Sequence, residues 1–343
     1  MTDLIDLLAN PKVCSGLKSV EWNTILPMAQ STQVIGQWGR QALRCGMDAD
    51  LPSAVQHRVD LAILTSQRRA DAVQWELQGI RRAVPKEIPL VVLKGAAHVL
   101  ANDDCGQGRI FSDIDIMVPR DHLDAAESAL VACGWQPGAT SAYDARYYRE
   151  WMHELPPMMH VRRRTVLDLH HSILPVISPY RLDPQLLFEV AKPVWDGVFV
   201  LDALDRIVHC AVHLVVEGDV EKILRGAYDL HMLLKQHVEG TGGQTRLLSR
   251  AVDLGVMPLV KHALSAAEIL FNAQSQASAI GTTALARHLV VAARANADAS
   301  IHMPLLTRLV IVIAAHRAKM PLSVLLPHLL RKSIVGKNAG KAA

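Results

Sequence analysis

Apolar and polar positions along the chain predict three kinds of segment in succession. From residue 1 to about residue 84, apolar side chains recur every three or four positions with charged residues between them, which is the period of an amphipathic helix. Representative apolar positions are Leu61, Leu64, Ala70, Val73 and Leu77. Pro85 and Pro89 then interrupt the pattern, and we predict a boundary there.

Short β-type runs alternate with helical stretches between residues 88 and 175. Such alternation is typical of an α/β unit, in which helices cover a small sheet. The predicted elements are a strand over 90–93, a short helix from residue 95, a strand over 110–118, a helix from Arg120-Asp121 to Gly134, and strands over 158–161 and 165–170. Asp121 is expected to cap the helix N-terminus, and Arg162 to Arg164 form the last turn.

The rest of the chain has a helical pattern from Pro184 nearly to its end, interrupted at Gly240 to Gly243 and at Pro304. We therefore predict an α+β fold, in which a small mixed sheet is flanked by helical N-terminal and C-terminal regions. The predicted divisions are a helical region over 1–84, an α/β core over 85–180, a helical domain over 181–335 and a flexible tail over 336–343.

Composition narrows the choice of function. A net charge of +3 over 343 residues, with 4% aromatic residues, gives no reason to expect an extended nucleic-acid surface. The five cysteines are scattered without a Cys-x-x-Cys pair, so we expect reduced thiols and a cytoplasmic location. The N-terminus lacks the pattern of a signal peptide, and residues 305–330 contain too many charges and prolines for a membrane span.

The residues with the clearest chemistry lie in the segment Ile110 to Val118. In a strand, Asp113 and Asp115 share one face, whereas Ile114 and Ile116 point into a core. Two carboxylates roughly 6.5 to 7 Å apart cannot be placed there for packing, because burying unpaired charge is very costly. Oxygen ligands favour Mg²⁺ or Mn²⁺, so the pattern predicts a divalent cation between the two aspartates.

A third carboxylate belongs to the strand predicted over 165–170. The alternation puts Val166, Asp168 and His170 on one face of this strand. A carboxylate on a neighbouring strand would complete a site for one or two divalent cations. Two such cations can hold a triphosphate, activate an attacking oxygen and stabilise the leaving group.

Three elements occur in an order that resembles a known group of proteins. They are Lys94-Gly95-Ala96, the run Arg109 to Ile116 with its Asp-x-Asp element, and Leu167-Asp168-Leu169-His170-His171. Together they look like the DNA polymerase β-type nucleotidyltransferase superfamily, and more narrowly like a bacterial family of uncharacterised nucleotidyltransferases. The segment His209 to Leu214, with Lys222, Leu224, Arg225 and Asp229 after it, also resembles the helical half of that family.

The resemblance implies transfer of a nucleoside monophosphate from an NTP to a hydroxyl or similar nucleophile of a small molecule or protein, with release of pyrophosphate. It implies that Asp113, Asp115 and Asp168 are catalytic and bind Mg²⁺ or Mn²⁺, and that Asp168 helps to deprotonate the acceptor. The residues assigned to nucleotide binding are Lys94, Gly95, Ala96, Arg109, Ser112 and His170. The start of the helix at Gly95 would offer backbone N–H groups, and Lys94 and Arg109 positive charge, to the phosphates.

Other interpretations of these residues stay open at this point. The same metal geometry could serve transfer of a terminal phosphate by a kinase. Gly95-Ala96 stands where the superfamily usually has Gly-Ser or Gly-Gly, which keeps open a nucleotide-binding regulator with little turnover. Asp113 and Asp115 could instead form the solvated face of an edge strand, and Asp168 could cap a turn.

Two further motifs have alternative explanations. His209 and His213 have the spacing of a zinc pair on a helix, but the glutamate of His-Glu-x-x-His is missing, so we favour a helix–helix contact. Arg162 to Arg164 could hold an anionic acceptor, although a solvated turn fits the pattern better. The acceptor, the base of the NTP and the oligomeric state cannot be read from the pattern.

Overall fold

The computed structural model of the protein describes residues 3–138, 142–238, 240–271, 281–321 and 323–324. The helices are α1 (Leu4–Ala9), α2 (Ser19–Ser31), α3 (Ile35–Arg44), α4 (Ser53–Ala83), α5 (Lys94–Leu100), α6 (Leu123–Ala132), α7 (Ala142–Trp151), α8 (Gln185–Phe188), α9 (Ala203–Val216), α10 (Ile223–His237), α11 (Gly240–Asp253), α12 (Met257–Phe271), α13 (Ala284–Ala297) and α14 (Leu305–Lys319). The strands are β1 (Leu90–Leu93), β2 (Asp113–Met117), β3 (Trp135–Pro137), β4 (Met158–His160), β5 (Val166–His170), β6 (Lys192–Trp195) and β7 (Val198–Val200). The predicted tail over 336–343 lies outside the described residues.

The strands form one mixed sheet in the order β3-β4-β5-β2-β1-β7-β6. At its centre, β2 pairs antiparallel with β1 and parallel with β5. β1 also pairs parallel with β7. The outer pairs of the sheet, β3–β4, β4–β5 and β6–β7, are antiparallel. The predicted α+β class with a mixed sheet is confirmed, and its central strands are those that the sequence predicted.

The sheet is wider than the sequence predicted. β6 and β7 lie beyond Pro184, where a helical pattern was expected, so that prediction is wrong over residues 192–200. They form a hairpin whose turn contains Gly197 at a φ of +70°, a conformation that glycine adopts without strain. β3 and α7 were also not predicted. The division of the chain at residues 84 and 180 stays a prediction.

The helix after β2 begins later than predicted. Pro119 starts a separate 3₁₀ turn over Arg120–His122, and α6 begins only at Leu123. Asp121 is an exposed residue inside that turn, so its prediction as the helix N-cap is wrong. The end of the helix agrees better with the sequence, because Gly134 has a φ of +94° shortly after Ala132.

Buried apolar residues form two clusters on opposite faces of the sheet. One cluster joins α1, α2, α3 and the first half of α4 to the helices from α9 onward, and it covers Val91, Leu93 and Met117. The other joins the second half of α4 to α5 and α6, and it covers Ile114 and Ile116. Asp113 and Asp115 share a face with Met117, so the helical half of the chain packs on the face that carries the carboxylates.

Helix α4 contacts both clusters because it is long and uninterrupted. Its 31 residues contain no proline and span about 46 Å at the usual rise per residue. Arg69, near its middle, donates a hydrogen bond of 2.7 Å to the carbonyl of Phe111. Arg81, near its end, donates to the carbonyls of Ile88 and Gly197. No helix in the described part of the chain is both long enough and apolar enough to cross a membrane.

Candidate active site

The register between β2 and β5 brings two of the three predicted aspartates together, whereas Asp113 lies opposite Val166. Asp115 lies directly opposite Asp168, and Met117 lies opposite His170. Since side chains alternate along each strand, Asp115, Asp168 and His170 all project from the same face of the sheet. One ligand atom from each of the three lies within 4.8 Å of the others. The sequence alternation therefore predicted their common face correctly.

Asp115 is buried, with 2% of its surface exposed. Its Oδ1 atom accepts a 2.6 Å contact from Lys94 Nζ and lies 3.1 Å from His170 Nε2. Burial alone would raise the pKa of Asp115, but the positive charge of Lys94 and the hydrogen bond from His170 hold it well below its usual range. Lys94 follows β1, which pairs with β2 so that Leu93 faces Asp115.

Asp168 has the opposite electrostatic environment. Burial and the neighbouring carboxylates of Asp115 and Glu154 together raise the pKa of Asp168 to about 7. Its Oδ1 atom is buried without a hydrogen-bond partner in the described part of the chain. Crowded carboxylates with an unpartnered oxygen are suited to holding a cation, which fits the divalent metal that the sequence predicted.

Two residues of the segment between α7 and β4 join this cluster, although the sequence analysis missed them. Glu154 pairs with the end of β5 through a bridge to His170, and its Oε2 atom lies 3.4 Å from His170 Nε2. His153 Nε2 lies 3.8 Å from the same oxygen. No periodic pattern singles out these positions, because they precede the strand and belong to no regular element. The only signal that could have found them is their residue type, since imidazole and carboxylate groups are common metal ligands.

A cleft of about 620 Å³ opens next to Asp115. Its floor is the start of β2 and α5, and one wall comes from the end of α9 and the start of α10. Asp113 is half-buried at its rim, beside the exposed Ser112, whose Oγ lies 3.4 Å from Asp113 Oδ1. Asp113 and Ser112 therefore border the cleft, whereas Asp115 lies deeper.

Three arginines line the cleft, and two of them, Arg109 and Arg225, differ in their electrostatic environment. Arg109 is nine-tenths buried and bonds Asp229, with its Nε and Nη2 atoms each 3.0 Å from Oδ2. Arg225 bonds the Gln33 side chain and lies 3.4 Å from the Ile110 carbonyl. No carboxylate forms an ion pair with Arg225 within the described part of the chain. The sequence analysis quoted Arg225 only as part of the resemblance, and the structure places it at the cleft.

The Gly95-Ala96 turn has a packing explanation. A Cβ atom on Gly95 would collide with the guanidinium of Arg109 and with Phe111, so only glycine fits between them. Ala96 is 1% exposed and belongs to the apolar cluster under α5. A serine hydroxyl at position 96 would therefore point into the apolar cluster, and Ala96 can reach a ligand only through its backbone.

The remaining motifs lie around this site without forming a second one. His213 pairs with Glu217 at 2.5 Å, and its ring meets that of His209 edge-on at 6.3 Å, with no metal group containing both among the described residues. Arg163 bonds Glu76 of α4 at 2.7 Å, which explains one of the three arginines in the turn. Arg162 and Arg164 are exposed.

Carboxylates on two neighbouring strands, at the edge of a cleft lined by guanidinium and ammonium groups, are typical of enzymes that act on nucleoside phosphates. Comparison with protein families agrees with this class. The chain belongs to the family described as uncharacterised nucleotidyltransferase, which matches residues 18–272, about three quarters of the chain. Comparison with curated proteins and with solved structures returns no match. The protein is thus a transferase of the nucleotidyltransferase class.

Proposed function

We propose that this protein transfers a nucleoside monophosphate from an NTP to a hydroxyl or similar nucleophile on a small molecule or protein, releasing pyrophosphate. The observation that carries the proposal is the parallel register that sets Asp115 opposite Asp168 beside the cleft. Family membership supports the general reaction. The α-phosphate must then lie near these two carboxylates, with the rest of the triphosphate in the cleft.

Asp113, Asp115 and Asp168 are the residues that would hold Mg²⁺ or Mn²⁺. The unpartnered Oδ1 of Asp168 and the closeness of its carboxylate to that of Asp115 support a cation there. When bound, a divalent cation neutralises the triphosphate and stabilises the charge that develops on the leaving pyrophosphate. Asp168, which is only partly buried, is placed to accept the proton of the attacking nucleophile.

The nucleotide is held by the residues around the cleft. Lys94 and Arg225 offer positive charge to the phosphates, and the backbone of Gly95 offers N–H groups at the start of α5. Arg109 contributes to nucleotide binding mainly by shaping the floor of the cleft, because its ion pair with Asp229 already compensates its charge. The further contacts in this proposal come from the Ala96 backbone, the Ser112 hydroxyl at the rim, and His170, which orients Asp115.

The acceptor in this proposal is not an extended nucleic acid. The wall of the cleft formed by α9, α10 and their connection carries Glu217, Asp219 and Glu221 as well as basic residues. Such mixed charge would repel a phosphate backbone along much of its path. A small molecule or a single protein side chain would contact only a short part of that wall, so these acidic residues would repel it less.

A label-transfer experiment tests the proposal. The protein is incubated with Mg²⁺ or Mn²⁺, cell extract, and each of the four NTPs labelled at the α or the γ phosphate. We expect α label on an acceptor with the wild type, and at least a hundredfold less, about 3 kcal/mol, with Asp115→Asn. Asp121→Asn is the matched control, because Asp121 is an exposed aspartate shortly after the same strand. Its activity should equal that of the wild type.

Three results would each contradict a part of the proposal. Transfer of γ label alone would make the protein a kinase. Normal transfer by Asp115→Asn, with an unchanged thermal melt, would remove the metal assignment. Tight binding of an NTP without transfer of either label to any extract component would support a regulatory role instead.

A further inference from the structure

The cluster around Asp115 and Asp168 contains nitrogen ligands as well as oxygen ligands. Nε2 of His170 lies 3.1 Å from Asp115 Oδ1 and 3.4 Å from Glu154 Oε2. Nε2 of His153 lies 3.8 Å from the same Glu154 oxygen. His153, Glu154 and His170 form one group within 4.8 Å, and Asp115, Asp168 and His170 form another. His170 is common to both, so the five side chains surround a single small region.

Burial makes this region unlike a surface group of charges. The side chain of His170 is 1% exposed and that of Asp115 is 3% exposed. Nδ1 of His170, Nδ1 of His153 and Oδ1 of Asp168 are all buried without a hydrogen-bond partner within the described residues. Buried polar atoms are normally satisfied, so the unpartnered carboxylate oxygen of Asp168 indicates that a ligand is missing from this cluster. The Nε2 atoms, not the Nδ1 atoms, are the ring nitrogens that approach the carboxylates.

Nearby lysines supply the positive charge in the absence of a cation. Lys94 contacts Asp115 at 2.6 Å, and Lys319, at the end of α14, is half-buried and interacts electrostatically with Glu154 and Glu217. Neither ammonium group forms a hydrogen bond with His153 or His170 among the described residues. A metal ion in this region could be coordinated by the carboxylate oxygens and by the Nε2 atoms of the two imidazoles.

We propose that His153, Glu154 and His170 add imidazole and carboxylate ligands to the site of Asp115 and Asp168, so that it binds Mn²⁺ or another first-row transition metal ion in preference to Mg²⁺. Mg²⁺ favours oxygen ligands and retains water, whereas imidazole nitrogen is a good ligand for first-row transition metals. The inference rests on the proposed function only in placing the cation at these two aspartates. It adds His153, Glu154 and His170 as ligands, and it specifies a first-row transition metal ion in place of Mg²⁺.

Metal binding by the full chain, without nucleotide, tests this inference. Metal-free protein is titrated with Mn²⁺ and followed by electron paramagnetic resonance, and with Mg²⁺ by calorimetry and by competition with Mn²⁺. Electron spin echo modulation of the bound Mn²⁺ then reports coupling to ¹⁴N, which appears only when imidazole nitrogen is coordinated. We expect ¹⁴N coupling in the wild type and a Kd for Mn²⁺ at least about tenfold lower than that for Mg²⁺.

Substitutions identify the ligands. Glu154→Gln should raise the Kd for Mn²⁺ about tenfold or more, and His153→Gln should reduce the ¹⁴N coupling and narrow the preference for Mn²⁺ over Mg²⁺. Glu150→Gln is the matched control, because Glu150 lies four residues earlier, is exposed and pairs only with Arg146 among the described residues. Thermal melts establish that each variant is folded, and the wild-type spectrum is informative even if a variant is not.

The outcomes separate this inference from the proposed reaction. Bound Mn²⁺ without ¹⁴N coupling, or equal Kd values for Mn²⁺ and Mg²⁺, would overturn the inference even if α label is transferred normally. Nitrogen-coupled Mn²⁺ with no transfer of α label would uphold it and contradict the reaction. If Glu154→Gln and Glu150→Gln bind Mn²⁺ equally, Glu154 is not a ligand.

Discussion

Arg225 forms no ion pair within the described residues, unlike most other cations of the cleft. Lys94 pairs with Asp115, Arg109 with Asp229, and Lys222 with Glu217. Burial lowers the pKa of Arg225 and the charge of Arg109 lowers it further, and the carboxylates of Asp229, Asp113 and Glu217 offset this shift only in part. An anionic ligand would supply the counter-charge that this part of the cleft lacks.

Replacing Arg225 tests that conclusion. We expect Arg225→Gln to raise the Kd for the metal–NTP complex about tenfold or more, because hydrogen bonds to charged groups contribute about 1.5 to 3 kcal/mol. Lys222→Gln is the control, since Lys222 lies on the same wall but is already paired with Glu217 and Asp219. Calorimetry with a non-hydrolysable NTP measures both values. Equal Kd values for the two variants would show that Arg225 does not bind the nucleotide.

The sequence predicted side chains that lie on strands better than those that lie outside them. Asp115, Asp168 and His170 follow from alternation, because each strand has a fixed period of two. Glu154 and His153 were missed because they come close to His170 only through the path of an irregular segment. Arg225 was noticed only through the resemblance. No pattern within α10 distinguishes an arginine that faces a cleft from one that faces solvent.

The turn from β1 into α5 depends on close packing at Gly95. We expect Gly95→Ala to destabilise the protein by about 1 to 3 kcal/mol, because its new methyl group must displace Phe111 or the buried guanidinium of Arg109. Gly79→Ala in α4 is the matched substitution, since only the tip of Arg82 comes near its Cβ position. That variant should be unchanged or more stable by about 0.5 to 1 kcal/mol.

Urea unfolding of both glycine variants measures these effects. A nucleotide titration of Gly95→Ala adds a second readout, because a displaced Arg109 would alter the floor of the cleft. If Gly95→Ala is as stable as Gly79→Ala and binds NTP normally, Arg109 and Phe111 can move aside without cost. The close packing would then not explain the glycine.

The β6–β7 hairpin shows where element prediction failed. Its strands contain only four and three residues, too few to display a period against the helical pattern on either side. Asp196-Gly197 is a common hairpin turn and was the one usable signal. What places the hairpin in the sheet is the parallel pairing of β7 with β1, about a hundred residues earlier in the chain. Such a long-range pairing has no local signature.

A buried ionic group joins distant parts of the molecule around Asp103, which is fully buried in the turn after α5. Arg206 of α9 bonds both its carboxylate oxygens, at 2.8 and 2.7 Å. His98 and His237 each lie 2.8 Å from one of those oxygens. Burial alone would raise the pKa of Asp103, but hydrogen bonds with His237, His98 and Arg206 hold it well below its usual range.

Asp103→Asn should destabilise the protein by about 3 to 5 kcal/mol near neutral pH, because Arg206 would remain buried without its counter-charge. The control is Asp104→Asn, whose partner Arg44 is half exposed and whose loss should cost at most about 1 kcal/mol. Urea unfolding measures both variants. Equal losses for the two would show that the buried group contributes no more than a surface ion pair.

The pH dependence of that difference has a defined sign. Because the pKa of Asp103 is depressed in the folded state, its ionised form stabilises the protein above the unfolded pKa of about 3.9. The gap in unfolding free energy between the wild type and Asp103→Asn should therefore be constant above about pH 5 and shrink as the pH falls below about 4. A gap that widens in acid would contradict the assignment.

The arrangement of the whole molecule was the least predictable part of the fold. The sequence analysis did not predict that α1, α2 and α3 share an apolar cluster with α12 and α13. Periodicity identifies which face of a helix is buried, but it does not identify the partner. The α+β class was predictable because it depends only on the order of element types.

The length of α4 also limits how the molecule can open. The same uninterrupted helix packs in both apolar clusters, and Arg69 and Arg81 attach it to the backbone beside β2, β1 and the hairpin. A hinge between the two halves would have to bend this helix or break those hydrogen bonds. Substrate entry must therefore rely on local rearrangement at the mouth of the cleft, so binding and release should leave the shape of the particle in solution nearly unchanged.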